Sequence, residues 1–266
     1  MAGCASSRSF AVTARLILIA HASTAALRDS SFPADEPLDE HGKRSAAALA
    51  GRLPNADRRL TSPELRTRQT AEALGLNADV EAALRDCDYG SWSGRSFKEV
   101  CAREPEAVAA WLRAPEAAPH GGESALGLMQ RVAGWLQREQ GRRQRSIVVT
   151  HATIIRAAIV QAIGAPPQSF WRIDIAPLSI TRFERRRQPL DSVIVRLHGA
   201  VGQRLLMGTS EAKGARCCNA HVAVRHAEPR PFANAKHGPR HWRSAKVRTS
   251  HIEIEVSKRL PVLTSI

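Results

Sequence analysis

Two short apolar runs constrain this chain more than any other feature of it. Arg15-Leu16-Ile17-Leu18-Ile19-Ala20 and Arg145-Ser146-Ile147-Val148-Val149-Thr150 are rich in β-branched residues and too short for typical helices. Runs of this kind predict strands buried on both faces, as in parallel sheets covered by helices. Each is followed at once by a histidine, His21 and His151. One histidine at a strand end is explained by a polar residue opening a loop. Two at equivalent ends of parallel strands can meet over one crevice, because ligands gather beyond the carboxyl ends of such sheets.

Helical patterns lie between and after these strands. Asp39 to Leu53 has an acidic first turn, an Ala-rich body and Pro54 as a stop. Ser62-Pro63 reads as a cap followed by Pro at the first helical position, opening a helix that runs to Leu74 and stops at Gly75. Glu123 to Glu139 places Leu128, Met129, Val132 and Leu136 on one face. Ile154 to Ile163 forms another helix, closed by Gly164, and Leu178 to Phe183 reads as a last strand. Strands alternating with amphipathic helices predict the α/β class: a three-layer α/β/α sandwich around a mostly parallel sheet.

Charge divides the chain near position 184. Residues 1–183 carry 23 Lys+Arg against 19 Asp+Glu, whereas residues 184–266 carry 16 against 6. We therefore expect an unstructured leader over 1–14, a folded domain over 15–183 and a basic tail over 184–266. The tail is too poor in apolar residues to offset the entropy of ordering. Within it, only Ser192-Val193-Ile194-Val195 and Ile252-Glu253-Ile254-Glu255-Val256 read as strands. Its charge suits nonspecific contact with a polyanion. Cys217-Cys218 with His221 and His226 is poorly spaced for a tetrahedral zinc site. The longest apolar stretch near the N-terminus falls far short of the roughly 20 residues of a membrane helix. Five cysteines without framework spacing suit a reducing compartment, so the expectation is a cytoplasmic protein without a membrane partner.

Five ordered segments resemble the histidine phosphatase superfamily, in its phosphoglycerate mutase-like branch. Asp35-Glu36-Pro37-Leu38-Asp39-Glu40-His41-Gly42 resembles the family's D-x-P-L-T-x-x-G. Thr61-Ser62-Pro63-Glu64-Leu65-Arg66-Thr67-Arg68-Gln69-Thr70-Ala71 is similar to S-P-L-x-R-A-x-Q-T-A. Leu84 to Gly94 matches L-x-E-x-x-F/Y-G-x-W-x-G, Gly121 to Ser124 matches G-G-E-S, and Val148 to Ala152 sits where the family has V-V-S-H-G.

The resemblance implies a metal-independent phosphatase that needs no cofactor and acts on a small phosphorylated metabolite. His21 would be the nucleophile, forming a phosphohistidine. Arg66 and His151 would hold the phosphoryl oxygens, and Asp86 would be the proton donor. Ser23, Thr24 and Arg28 fall where further substrate contacts are expected. The short stretch from Asp86 to His151 leaves no room for the lid of a mutase. The chain departs from the pattern at the nucleophile, with Ala20-His21-Ala22 in place of Arg-His-Gly, and Leu27 stands where an Asn is expected. Losing one charge-assisted contact costs about 1.5–3 kcal/mol. Two alternatives therefore stand beside the enzyme: a phosphate-ester binding protein of this fold with impaired turnover, and a polyanion-binding protein acting through its tail.

Overall fold

The computed structural model describes residues 12–140, 142, 144–186, 192–198 and 251–257. Its elements run β1 (Val12–Ala20), α1 (Ala25–Arg28), α2 (Glu40–Ala47), β2 (Arg58–Thr61), α3 (Leu65–Ala73), β3 (Asp79–Val80), α4 (Phe97–Arg103), α5 (Pro105–Arg113), α6 (Ala125–Gln140), β4 (Arg145–Thr150), α7 (Ala152–Ile163), β5 (Ile180–Arg186), β6 (Ser192–His198) and β7 (His251–Ser257). The sheet order is β3-β2-β4-β1-β5-β6-β7. The first four strands in that order pair in parallel, and β5, β6 and β7 extend the sheet antiparallel. The fold is an α/β sandwich.

Alternation along β1 shows how the layers are built. Leu18 and Ala20 join one core cluster with Leu128, Val132 and Trp135 of α6 and Ile154, Ile155 and Ala158 of α7. Ile17 and Ile19 join the opposite cluster with Ala46 of α2 and Ala71 of α3. The strand is buried on both faces, as its unbroken apolar run requires. A third, aromatic cluster of Phe32, Tyr89, Trp92, Val100, Val108 and Trp111 packs α4 and α5 beside the sheet's carboxyl edge.

Several boundaries differ from the sequence reading. Helix α2 ends at Ala47 rather than Leu53, because Leu49, Ala50 and Arg52 donate to carbonyls three residues back and tighten the chain into turns. Ser62 is not a helix cap. Its hydroxyl donates to the Leu84 carbonyl at 2.6 Å and lies 2.9 Å from Thr150 Oγ1, whose hydrogen it can accept, and Glu64 takes the cap position. Strand β1 begins at Val12, inside the expected leader.

The boundary at Phe183 also moves. Strand β5 continues to Arg186, where Arg186 pairs with Val12, and β6 lies along the whole of β5. The two tail segments that read as strands are β6 and β7. Backbone groups of β5 facing away from β1 would lose their partners without β6, which explains why polar, basic sequence is recruited into the sheet. The Cys217-Cys218 pair and its histidines lie outside the described residues.

A chain ending at Phe183 should therefore unfold at a lower temperature and less cooperatively than one ending just past His198. Thermal unfolding followed by circular dichroism compares the two. Equal midpoints would mean that β6 contributes nothing to the fold.

Candidate active site

The register of β1 and β4 sets the site. Ala20 pairs with Thr150, and the His21 N–H donates to the Thr150 carbonyl at 2.8 Å. His21 and His151 thus leave the sheet side by side, with ring centroids 5.3 Å apart and edge to face. Helix α3 supplies the third wall. Its Thr70 hydroxyl accepts the Ala22 N–H at 3.0 Å and donates to the Arg66 carbonyl at 2.7 Å. Gln69 accepts the Leu38 N–H at 2.9 Å. The Gln-Thr pair therefore ties the loop after His21 and the 35–39 segment to the helix that carries Arg66. A Cβ at Gly42 would strike the backbone of Ser23, so this close approach of α2 to the same loop requires glycine.

Arg66 is 2% exposed. Its Nη2 donates to Asp86 Oδ2 at 2.7 Å, while Nε and Nη1 are buried without a hydrogen-bond partner. Two unused donors on a buried guanidinium form an incomplete anion site, since unpaired buried donors carry a desolvation cost. Asp86 Oδ2 also lies 3.4 Å from His151 Nδ1. The other oxygen, Oδ1, accepts from Thr153 Oγ1 at 2.5 Å and from the Cys87 N–H at 2.8 Å. Arg131 of α6 braces this turn, donating to the carbonyls of Ala83 and Arg85 and pairing with Glu123.

Burial alone would raise the Asp86 carboxyl. The His151 ring and the Arg66 guanidinium, with the Thr153 hydroxyl, outweigh it and hold the group well below the usual carboxylate range. At His21, burial acts first, and His151 and Arg66 add to it, so the imidazole is pushed down to about 4. Its Nδ1 lies 2.8 Å from the Ala22 carbonyl. A carbonyl only accepts, so Nδ1 carries the hydrogen and Nε2 keeps its lone pair.

The structure brings together His21, Arg66, Asp86 and His151. It does not bring Ser23, Thr24 and Arg28 to them through any polar contact. Ser23 donates to Asp39 at 2.8 Å, Thr24 caps α1 and donates to Glu36 at 3.1 Å, and Arg28 pairs with Asp39 at 3.1 Å with its side chain 63% exposed. The N-terminus of the helix that carries Arg66 already meets a carboxylate, because the Leu65 N–H donates to Asp35 Oδ1 at 2.6 Å.

One residue escaped the sequence reading. Glu64 accepts from His151 Nε2 at 2.7 Å and from the Asp86 N–H at 2.9 Å. The available signal was its position: a carboxylate where the family pattern has leucine. Among the described residues, no group of three or more His, Cys, Asp or Glu side chains is arranged to hold a metal ion, and no helix is long and apolar enough to cross a membrane.

A neutral imidazole and a buried arginine thus stand together at the carboxyl ends of two parallel strands. The chain belongs to the histidine phosphatase superfamily (branch 1), whose pattern matches residues 16–197. It is 32% identical over 175 residues to phosphoserine phosphatase 1 of Hydrogenobacter thermophilus, covering 62% of this chain and 83% of that one. It is 27% identical over 172 residues to the adenosylcobalamin/alpha-ribazole phosphatase of Salmonella typhimurium, covering 60% and 85%. Among solved structures it resembles mycobacterial glucosyl-3-phosphoglycerate phosphatase in complex with VO3, with a TM-score of 0.57, 25% identity and coverage of 65% and 96%. By family the chain is a phosphoric monoester hydrolase.

The depressed His21 has a thermodynamic signature. Between its unfolded value near 6.5 and its folded value near 4, the unfolded chain binds a proton that the native state refuses. Stability must therefore rise with pH across this window and fall as pH drops through it, by about 3 kcal/mol. Urea unfolding of wild type and His21→Gln at pH 4.5 and 6.5 should show a flatter pH dependence in the variant. Parallel dependences would mean that His21 ionises as it does in water.

Proposed function

We propose that the chain hydrolyses a small phosphomonoester in two displacements at His21. The observation that carries this reading is a neutral imidazole with a free Nε2, held beside a buried arginine that has two unused donors. Nε2 attacks phosphorus while Arg66 and His151 compensate the charge on the phosphoryl oxygens. The bond to the leaving oxygen breaks, and Asp86 protonates that oxygen. Water then attacks the phosphohistidine, Asp86 takes its proton, and phosphate departs.

Asp86 is an anion in the free protein, so it must take up a proton from solvent as the substrate binds. A phosphoryl dianion placed on the free donors of Arg66 opposes the influence that now keeps Asp86 ionised. The same substitution of one anion for another relieves the pairing of Asp86 with Arg66. Hydrolysis fits better than mutase chemistry, because the segment between Asp86 and His151 is taken up by α4, α5 and α6 rather than a lid. The names of the relatives, a phosphoserine phosphatase, an alpha-ribazole phosphatase and a glucosyl-3-phosphoglycerate phosphatase, support a small phosphorylated metabolite as substrate.

The pairing of Asp86 with Arg66 and the methyl group at Ala20 favour a second reading, in which the fold binds phosphate esters with little turnover. A third contact, of a polyanion with the basic segment, would be salt-dependent and lost on deleting residues 199–266.

A panel of phosphomonoesters assayed with wild type and His21→Ala tests the first reading: activity should vanish in the variant. Asp86→Asn should slow alkyl phosphates at least tenfold more than aryl phosphates, because a good leaving group departs without a proton. An inactive wild type that still binds phosphate esters would leave the binding reading, and equal losses on both classes would remove Asp86 as the acid.

A further inference from the structure

The cations around His21 are fewer than the chemistry asks for. Ala20 offers a methyl group that is 2% exposed, so β1 contributes no charge. Arg28 is paired with Asp39, and Arg66 is shared with Asp86. His151 remains, and it is 1% exposed.

Both nitrogens of that ring face carboxylates. Nε2 is 2.7 Å from Glu64 Oε2, and Nδ1 is 3.4 Å from Asp86 Oδ2. Burial raises the Glu64 carboxyl, but its hydrogen bond from His151 and the charge of that ring prevail and hold it below its ordinary value. Asp86 is held lower still. An ionised carboxylate only accepts hydrogen bonds, whereas a neutral imidazole offers one donor and one acceptor. Either neutral tautomer would aim a lone pair at a carboxylate. A ring with a hydrogen on each nitrogen donates to Glu64 and turns its second N–H, which has no hydrogen-bond partner, toward Asp86 Oδ2.

We propose that Glu64 holds His151 as an imidazolium and thereby supplies, through that ring, the positive charge for the phosphoryl group that Ala20 does not. Glu64 is built for this role. It occupies the cap position of α3, yet its side chain makes no capping bond and turns to the site instead. Oε1 is fixed by the Asp86 N–H at 2.9 Å, which leaves Oε2 for the ring. With Nε2–H committed to Glu64, Nδ1–H faces the place where Asp86 Oδ2 now sits against Arg66, the place a phosphoryl oxygen would take. Glu64 touches the ring and not the substrate, so it is a positioning residue.

The substrate named here rests on the phosphatase reading; the state of the ring does not. Nitrogen-15 NMR of the full chain at pH 7, with His151 assigned by the signals lost in His151→Asn, reads that state directly. Two protonated nitrogens are expected in wild type and one in Glu64→Gln, which keeps an acceptor for the Asp86 N–H. Inorganic phosphate should bind about tenfold more weakly to Glu64→Gln, because a neutral donor replaces a charged one. Glu64→Asp, which retains the charge, should recover part of the loss.

The sign of the effect is decisive. A carboxylate acting only as a nearby negative charge would repel phosphate, so its removal would tighten binding. Tighter or unchanged binding in Glu64→Gln overturns the proposal, as does a singly protonated His151 in wild type, whether or not the variant folds. A doubly protonated ring in a wild type that binds phosphate but hydrolyses no phosphomonoester overturns the phosphatase reading and leaves the role of Glu64 standing.

Discussion

The pairing of Ala20 with Thr150 is the constraint on which the site depends. Two parallel strands in this register end on the same level, and the next residue of each is a histidine. No side-chain contact is needed to bring the rings together; the backbone ladder does it. Helix α3 then adds its components in one piece, because Thr70 ties the peptide after His21 to the carbonyl of Arg66. His21 and Arg66 are positioned by one short chain of hydrogen bonds, all buried. A change that shifts α3 moves both groups relative to His151.

The parts of the fold that were legible in the sequence are those whose signal is local. Strands β1 and β4 declare themselves by β-branched runs, and α6 and α7 by apolar faces. Gly75 and Gly164 stop their helices at positive φ, as sequence position suggested. Strand β2 was hidden because Arg58-Arg59-Leu60-Thr61 has no apolar run. It forms because its neighbours β4 and β3 complete its ladder. Strand β6 did read as a strand over Ser192–Val195, but its pairing along β5 was not legible from its own residues. Composition placed the boundary at Phe183, but a hydrogen-bond ladder has no regard for net charge. Ser62 misled for a related reason: a Ser-Pro start is a local signal, and the tertiary demand for a bridge from Leu84 to Thr150 prevailed over it.

The site residues were legible only in part. His21 and His151 followed from strand ends, and Arg66 and Asp86 from the resemblance. Glu64 has no periodicity, lies two residues from Arg66, and acquires its meaning only when the backbone turns its side chain toward His151. Arg28 shows the opposite case. Sequence proximity to His21 made it a candidate, yet it pairs with Asp39, which is already committed to capping α2 through the Gly42 N–H. A partner fixed by one structural duty is available for a second at small entropic cost.

Ala20 explains why this site takes the charge arrangement it has. Its side chain is 2% exposed and belongs to the core cluster that holds Leu128, Ile154 and Ile155, so β1 brings no charge to the site. The charged groups come from the loops and from α3 instead. Glu64 and Asp86 both stand outside the sheet, on segments held by α3 and Arg131, and both bear on His151. The result is a centre in which one buried arginine and one histidine are balanced by two carboxylates. Each charge has a counter-charge, but Nε and Nη1 of Arg66 remain without a hydrogen-bond partner. An anion entering on the free Nε and Nη1 of Arg66 would meet Asp86, the carboxylate lying between Arg66 and His151, which is the one that must yield its charge by taking up a proton.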